Sequence, residues 1–276
     1  MTLTTTAQAL VETDWLAEHT NDPDVRVIEV DVNATAYAAG HIDGAVLWNA
    51  YKDLLQPSYR IVERDAFASL LSRSGIRPGT RVVFYGYAAS LGLWMMAHHG
   101  HNEVSFLNGS RGKWVSDGRP LSTEVPTPPV TDYSLREVQD VPAIRASHHL
   151  VEQAIGDPRR LLMDVRSAAE YTGERFWPSL PPEGDQRGGH VPGAVLAPIE
   201  DTWAADGRFK AVEDLRSFYQ AKGFSPDKEI ITYCAVGGRA SQAWFVLTYL
   251  LGYPNVRVYD GSWIEWGLLP GVPVEK

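Results

Sequence analysis

The chain has 276 residues, 44% of them hydrophobic, and a formal net charge of −9 at pH 7. This length is enough for two domains of ordinary size, and an acidic chain without a long basic run argues against nucleic acid as a partner. No apolar run reaches the length of about eighteen residues that a membrane-spanning helix requires, so we expect no membrane partner.

Short apolar runs alternate with longer helical patterns along the chain. The apolar runs are continuous rather than alternating, which is typical of strands buried on both faces of a sheet. In chain order, strands are predicted at 25–30, 81–85, 161–165, 230–233 and 256–259, and helices at 65–75, 88–100, 212–223 and 240–252. This alternation predicts an α/β fold in which a mostly parallel sheet is covered by helices.

The two halves of the chain repeat the same motifs in the same order. Gly40-His-Ile-Asp-Gly-Ala-Val-Leu corresponds to Gly189-His-Val-Pro-Gly-Ala-Val-Leu, and Arg81-Val-Val-Phe-Tyr corresponds to Glu229-Ile-Ile-Thr-Tyr. We therefore predict two similar domains, one in residues 1–122 and one in residues 144–276. The segment 123–143 contains several prolines, which keep a chain extended, and is the predicted linker.

The only cysteine, Cys234, lies at the predicted turn between a strand and a helix. A helix N-terminus stabilises a thiolate, and small residues in the turn let successive backbone amides point at one anion. We predict Cys234 as the catalytic residue, although a buried structural cysteine is the alternative. The predicted cradle for its anion is the set of backbone amides of Ala235, Val236, Gly237, Gly238 and Arg239. The corresponding position in the first half is Gly86, so the first domain lacks a nucleophile.

Four residues separate Cys234 from Arg239. Protein-tyrosine phosphatases have five residues between the equivalent cysteine and arginine, because their loop must surround a tetrahedral phosphate. A loop that is one residue shorter should form a tighter ring of amides, which suits a single sulfur atom. The spacing therefore favours sulfur transfer over dephosphorylation.

These motifs resemble the rhodanese family over nearly the whole chain. The resemblance rests on Asp164-Val-Arg with Glu170, Gly189-His-Val-Pro-Gly-Ala, the Cys234 loop, and Tyr259-Asp-Gly-Ser-Trp-Ile-Glu-Trp-Gly. It implies two tandem rhodanese-like domains, an inactive N-terminal one and a catalytic C-terminal one. It also implies that Cys234 takes a sulfane sulfur from thiosulfate as a persulfide and passes it to cyanide or a thiol, without a metal or another cofactor.

Two alternatives to a thiosulfate sulfurtransferase remain open. One is a 3-mercaptopyruvate sulfurtransferase, because Ala235 and Val236 place no charge beside the cysteine. The other is a persulfide carrier that delivers sulfur to a partner protein. In either case the resemblance implies that arginines bind the anionic end of the donor. We predict Arg239 for this role and Arg187 as a second candidate, with loop bracing and a solvated surface position as the respective alternatives.

The sequence also predicts a reducing compartment. The N-terminus lacks the charged start and apolar core of a signal peptide, and one cysteine cannot form an internal disulfide. We therefore expect a cytoplasmic protein. We expect no metal site, because the clustered histidines His98, His99 and His101 lie near a predicted helix end, where histidine complements the helix carbonyls.

Overall fold

The computed structural model describes residues 9–134, 143–177 and 181–276. The chain divides into two compact units. The first comprises the described part of Met1–Pro142 together with Ala204–Phe209, and the second comprises the described part of Ala143–Trp203 together with Lys210–Lys276. The boundaries 1–122, 123–143 and 144–276 stay predictions. In this division, a short segment of the predicted second domain belongs to the first unit.

The first unit contains a sheet of five parallel strands, which are β1 (Leu10–Val11), β2 (Val25–Asp31), β3 (Val46–Asn49), β4 (Arg81–Tyr85) and β5 (Val104–Leu107). Their order in the sheet is β1-β5-β4-β2-β3. Its helices are Thr13–His19, Thr35–Ala39, Arg64–Arg73, Ala89–His98 and Ser110–Ser116, with a π-helical turn at Ala50–Leu54. The segment Ala204–Phe209 packs here because the Phe209 ring lies 5.4 Å from Phe106 and its amide donates to Asn108 Oδ1 at 3.0 Å.

The second unit contains a sheet of four parallel strands, which are β6 (Arg160–Asp164), β7 (Val195–Leu196), β8 (Glu229–Tyr233) and β9 (Val256–Val258). Their order in the sheet is β7-β6-β8-β9. Its helices are His148–Ala154, Ala168–Tyr171, Val212–Ala221, Gly238–Phe245 and Ser262–Trp266, with a 3₁₀ turn at Ile199–Thr202 and a π-helical turn at Val246–Leu250. Within the described ranges, no helix combines the length and apolarity needed to cross a bilayer.

The predicted α/β fold is confirmed, and the central strands show why it forms. In β4 the residues Val82, Val83, Phe84 and Tyr85 are completely buried. Such a strand needs apolar cover on both faces, which the flanking helices supply. The helix predicted at 240–252 begins earlier, at Gly238, and its last part is a π-helical turn. It begins earlier because Gly237, with a left-handed φ of 88°, forms the cap that turns the chain into the helix.

The parallel arrangement brings the ends of the strands to one edge of each sheet. In the second unit, Tyr233 at the end of β8 pairs with Asp164 at the end of β6. In the first unit, Tyr85 at the end of β4 pairs with Glu29 in β2. Residues that follow the carboxyl ends of parallel strands commonly form the binding sites of open α/β sheets. Cys234 immediately follows β8 and therefore lies at that edge.

Candidate active site

The Cys234 thiol is buried against the start of a helix. Its residue is 1% exposed, and Sγ accepts a hydrogen bond from the Gly237 amide at 3.1 Å. The helix Gly238–Phe245 begins directly after that amide, so the sulfur lies at the positive end of the helix dipole. A hydrogen-bond donor and the positive end of a helix dipole both favour negative charge at the atom toward which they point.

Gly237 makes this hydrogen bond possible. Its φ is 88°, a left-handed conformation that a residue with a side chain rarely adopts. A Cβ built on Gly237 would lie 3.2 Å from the Asp260 carbonyl oxygen, so the loop passes close to that carbonyl. Of the five amides predicted to form the cradle, that of Gly237 contacts Sγ here, and those of Ala235, Val236, Gly238 and Arg239 stay predictions.

A second short helix holds the loop from the other side. Ser262 Oγ accepts the Cys234 amide at 3.1 Å, donates to the Tyr259 carbonyl at 2.8 Å, and lies 3.9 Å from Sγ. The amides of Trp263 and Ile264 donate to the carbonyls of Cys234 and Ala235 at 2.9 and 3.0 Å. The first amides of the helix Ser262–Trp266, which lack partners inside the helix, are thus used to fix the loop. Sequence reasoning missed this role of Ser262.

A buried ion pair supports the sheet edge beneath the loop. Arg166 Nη2 donates to Asp164 Oδ2 at 2.5 Å and to the Gly189 carbonyl at 2.7 Å, and Asp164 and Arg166 are at most 1% exposed. The guanidinium also stacks over the Trp263 ring at 4.5 Å, a cation–π contact. Arg166 therefore links β6, the backbone at Gly189 and the helix Ser262–Trp266, which anchors the cysteine loop.

Replacing Asp164 by alanine should lower the free energy of unfolding by about 3 to 5 kcal/mol, because it leaves a buried guanidinium without its counter-ion. Urea unfolding followed by circular dichroism would measure the loss. Asp206→Ala is the matched control, since Asp206 also pairs with an arginine two residues away but is exposed, and it should change the midpoint little. Equal losses in the two variants would contradict the importance of the buried pair.

Arg239 is paired with Glu170. Its two terminal nitrogens donate to the two carboxylate oxygens at 2.8 and 2.7 Å. Glu170 also completes a capping box with Ser167 at the start of the helix Ala168–Tyr171. Burial raises the pKa of Glu170, but the hydrogen bonds from Arg239 and Ser167 outweigh it and lower the pKa to about 2. Arg239 therefore braces the loop by pairing with the Glu170 carboxylate, which is the alternative role given for it above. Its binding to a sulfur donor stays a prediction.

The Glu170 pair should make stability depend on acidic pH. The folded pKa is about 2 and the ordinary value is 4.5, so the stabilisation is fully present above pH 4.5 and is lost as the pH falls toward 2. The effect should be about 2 kcal/mol after allowance for partial solvent screening. Thermal unfolding of the wild type and of Glu170→Gln from neutral pH to about pH 3 would measure it. The midpoints should converge on acidification, and parallel curves would contradict the pairing.

All three nitrogens of the Arg187 guanidinium donate hydrogen bonds to backbone carbonyls. Its Nη1 donates to Val272 at 2.7 Å, and its Nη2 donates to Trp266 and Leu269 at 2.9 and 2.5 Å. Its Nε donates to Gly267 at 3.3 Å. These contacts favour a role in bracing the C-terminal turns over the predicted role in donor binding. The physical reason is that consecutive turns leave carbonyls that a planar guanidinium satisfies together.

The first unit retains the loop anchor but has no space for a thiol. Ser110 Oγ accepts the Gly86 amide at 3.0 Å, as Ser262 does for Cys234. Gly86 has a φ of 102°, and a Cβ there would lie 2.6 Å from the Val30 carbonyl oxygen. A cysteine cannot adopt this backbone without displacing the strand. This geometry supports the prediction that the first domain is inactive.

Comparisons with known proteins agree with the repeated architecture. The sequence profile of the rhodanese-like domain matches residues 12–117 and 147–268. The chain is 43% identical to the "Sulfur carrier protein TtuD" of Thermus thermophilus, over 98% of this chain and 97% of that protein. It is 41% identical to a "Putative thiosulfate sulfurtransferase" of Mycolicibacterium smegmatis, over 98% of each.

Solved structures share the fold over nearly the whole chain. The anaerobic ergothioneine biosynthesis enzyme of Chlorobium limicola, crystallised with trimethyl histidine, matches with a TM-score of 0.88 and 25% identity, covering 98% of this chain and 70% of that one. A variant of EanB, whose structure contains ergothioneine covalently linked to a persulfide, matches with a TM-score of 0.87 and 26% identity, over 97% and 70% of the two chains.

Proposed function

The chain belongs to the rhodanese family and its function is sulfur transfer, and on that premise we propose that it moves a sulfane sulfur from thiosulfate to cyanide or a thiol through a persulfide on Cys234. The observation that carries this proposal is the position of the Cys234 sulfur, 3.1 Å from the Gly237 amide at a helix start. An anion on this sulfur, or on a second sulfur bonded to it, is stabilised there by fixed dipoles.

The first half-reaction loads the cysteine. The Cys234 thiolate attacks the outer sulfur of thiosulfate, the sulfur–sulfur bond of the donor breaks, and sulfite leaves with the bonding electron pair. The product is Cys234–S–S⁻, whose negative charge lies on the outer sulfur. The Gly237 amide, and the other predicted cradle amides of residues 235–239, compensate this charge as an oxyanion hole does for oxygen.

The second half-reaction returns the enzyme to its starting state. Cyanide attacks the outer sulfur, the persulfide bond breaks, and thiocyanate leaves while the Cys234 thiolate is regenerated. A thiol acceptor reacts in the same way and becomes a persulfide itself. Because sulfite leaves before the acceptor reacts, this covalent route should show ping-pong kinetics.

A second candidate function is that of a persulfide carrier for a partner protein. The observation that favours it is the 43% identity to a protein named as a sulfur carrier, over nearly the full length of both chains. A carrier would load Cys234 by the same first half-reaction. It would differ in the second, because it would transfer the sulfur slowly to small acceptors.

Intact-mass measurement of the purified chain tests both functions. Because Cys234 is the only cysteine, the gain of one sulfur atom after thiosulfate, reversed by cyanide, identifies the loaded residue. Rapid reversal supports the thiosulfate sulfurtransferase, and slow reversal after full loading supports the carrier. If Cys234 gains sulfur from 3-mercaptopyruvate but not from thiosulfate, then 3-mercaptopyruvate is the sulfur donor. Absence of loading from either donor would overturn the proposal.

A further inference from the structure

Glu170 pairs with the only cationic side chain of the Cys234 loop. Residues 234–239 contain one positively charged residue, Arg239. Its Nη1 donates to Glu170 Oε2 and its Nη2 donates to Oε1, at 2.8 and 2.7 Å. The Glu170 side chain is 9% exposed and that of Arg239 is 24% exposed, so solvent and salt screen the pair weakly. A donor approaching the loop therefore meets a nearly neutral pair.

Three groups in the described part of the second unit act on the charge of Arg239. Glu170 lies on the helix Ala168–Tyr171, Cys234 follows β8, and the exposed Glu200 lies in the turn Ile199–Thr202. Burial lowers the pKa of Arg239, but these three groups outweigh it and raise the pKa. Glu170 makes the paired hydrogen bonds, so its carboxylate has the largest part in cancelling the positive field.

We propose that Glu170 is a specificity-determining residue that sets the affinity of the Cys234 site for anionic sulfur donors. This inference rests on the sulfur transfer proposed above. If the carboxylate cancels the field of Arg239, removal of its charge should strengthen donor binding in proportion to the donor's charge, because the Coulomb energy is linear in charge. The gain in affinity for a dianion should then be the square of the gain for a monoanion.

Two small donors of the same chemistry differ in charge in this way. Thiosulfate is a dianion and methanethiosulfonate is a monoanion. Each transfers its outer sulfur to the Cys234 thiolate, as the donor's sulfur–sulfur bond breaks and sulfite or methanesulfinate leaves with the electron pair. Neither half-reaction needs an additional oxidant or reductant.

Glu170→Gln removes the charge and keeps the capping box, but it loses one of the two hydrogen bonds from Arg239, because a glutamine amide has a single acceptor oxygen. Glu170 Oε2 accepts the Ser167 amide and hydroxyl at 3.0 and 2.9 Å, and Ser167 Oγ accepts the Glu170 amide at 3.3 Å. Glutamine is equally suited to this position of a capping box. The start of the helix Ala168–Tyr171 should therefore be retained in the variant.

Single-turnover loading of Cys234, followed by intact mass at a series of donor concentrations, tests the proposal. In Glu170→Gln the half-saturating concentration should fall about tenfold for thiosulfate and about threefold for methanethiosulfonate. The maximal loading rate should change much less than either. Glu200→Gln is the matched control: Glu200 is exposed and contributes only through its field, so the shift should be below about twofold.

Arg239→Gln tests the same dependence on charge independently, and it can be used if Glu170→Gln fails to fold. It leaves the Glu170 charge without a counter-ion, so the half-saturating concentration should rise, and should rise more for thiosulfate than for methanethiosulfonate. The half-saturating concentration of the double variant, Glu170→Gln with Arg239→Gln, should lie between those of the two single variants. Equal shifts for both donors, or a lower maximal rate at unchanged affinity, would show a purely structural role and overturn the inference. Failure of the wild type to load from either donor would instead overturn the proposed function.

Discussion

Cys234→Ser should abolish persulfide formation and lower thiocyanate production from thiosulfate by at least about 10⁴-fold. Cys234 is the only cysteine in the chain, so no other thiol can accept the sulfur. Serine is similar in size and can still accept the Gly237 amide that lies 3.1 Å from Sγ. Its hydroxyl, however, is not ionised at neutral pH without a neighbouring base, and it is a weak nucleophile.

The measurement has three parts. Steady-state thiocyanate formation gives the rate, intact mass after thiosulfate gives the loading, and thermal unfolding gives the stability. The midpoint should stay close to that of the wild type, because the substitution adds no atoms to a buried site. A variant that kept more than about one per cent of the rate with an unchanged fold would show that the sulfur does not pass through Cys234.

Gly237→Ala should slow sulfur loading by about 100-fold, the usual effect of losing one donor from an anion-stabilising site. Gly237 has a φ of 88°, and a Cβ would lie 3.2 Å from the Asp260 carbonyl oxygen. Alanine is strained in this conformation by about 1 to 2 kcal/mol, and it must also move away from Asp260. Because the same residue donates its amide to Sγ, this movement should take the donor out of hydrogen-bond range.

Gly252→Ala is the matched control for backbone strain. Gly252 follows the turn Val246–Leu250 and has a φ of 72°, but nothing lies within 4 Å of the position of its Cβ. The two variants should lose similar stability in thermal unfolding, while Gly252→Ala should load at the wild-type rate. Equal slowing of both variants would attribute the effect to strain, and no slowing of Gly237→Ala would remove this amide from the mechanism.

The fold was predictable because its signals are local and repeated. The strand at 81–85 was predicted with the observed bounds of β4, since a strand that is buried on both faces of a parallel sheet reads as a short continuous apolar run. The paired motifs around Gly40 and Gly189 indicate two domains from the sequence alone. The bounds of the helix after Cys234 were less accurate, because the left-handed conformation of Gly237 and the π-helical turn are not apparent in the pattern.

The candidate site was only partly predictable. Cys234 was identifiable from its place between a strand and a helix. The anchor Ser262 was missed, although the sequence contains a signal for it, because Gly-Ser follows a strand in both halves. In the structure both serines have a positive φ, 53° for Ser110 and 50° for Ser262. A Gly-Ser pair that is repeated at this position indicates a strained backbone conformation. The hydrogen bond between the serine hydroxyl and the loop that follows the neighbouring strand stabilises it.

The sequence by itself determined the α/β class, the two-domain repeat and the position of Cys234 at the start of a helix. These features depend on the periodicity of apolar residues and on the short spacings between motif residues, and both can be read directly along one sequence. Only the tertiary structure decided the partners of the arginines. Arg239 meets Glu170 across 69 positions and Arg187 meets Val272 across 85. A guanidinium can bind either a carboxylate or a set of carbonyls, and which of them lies within reach depends on how the distant turns fold together.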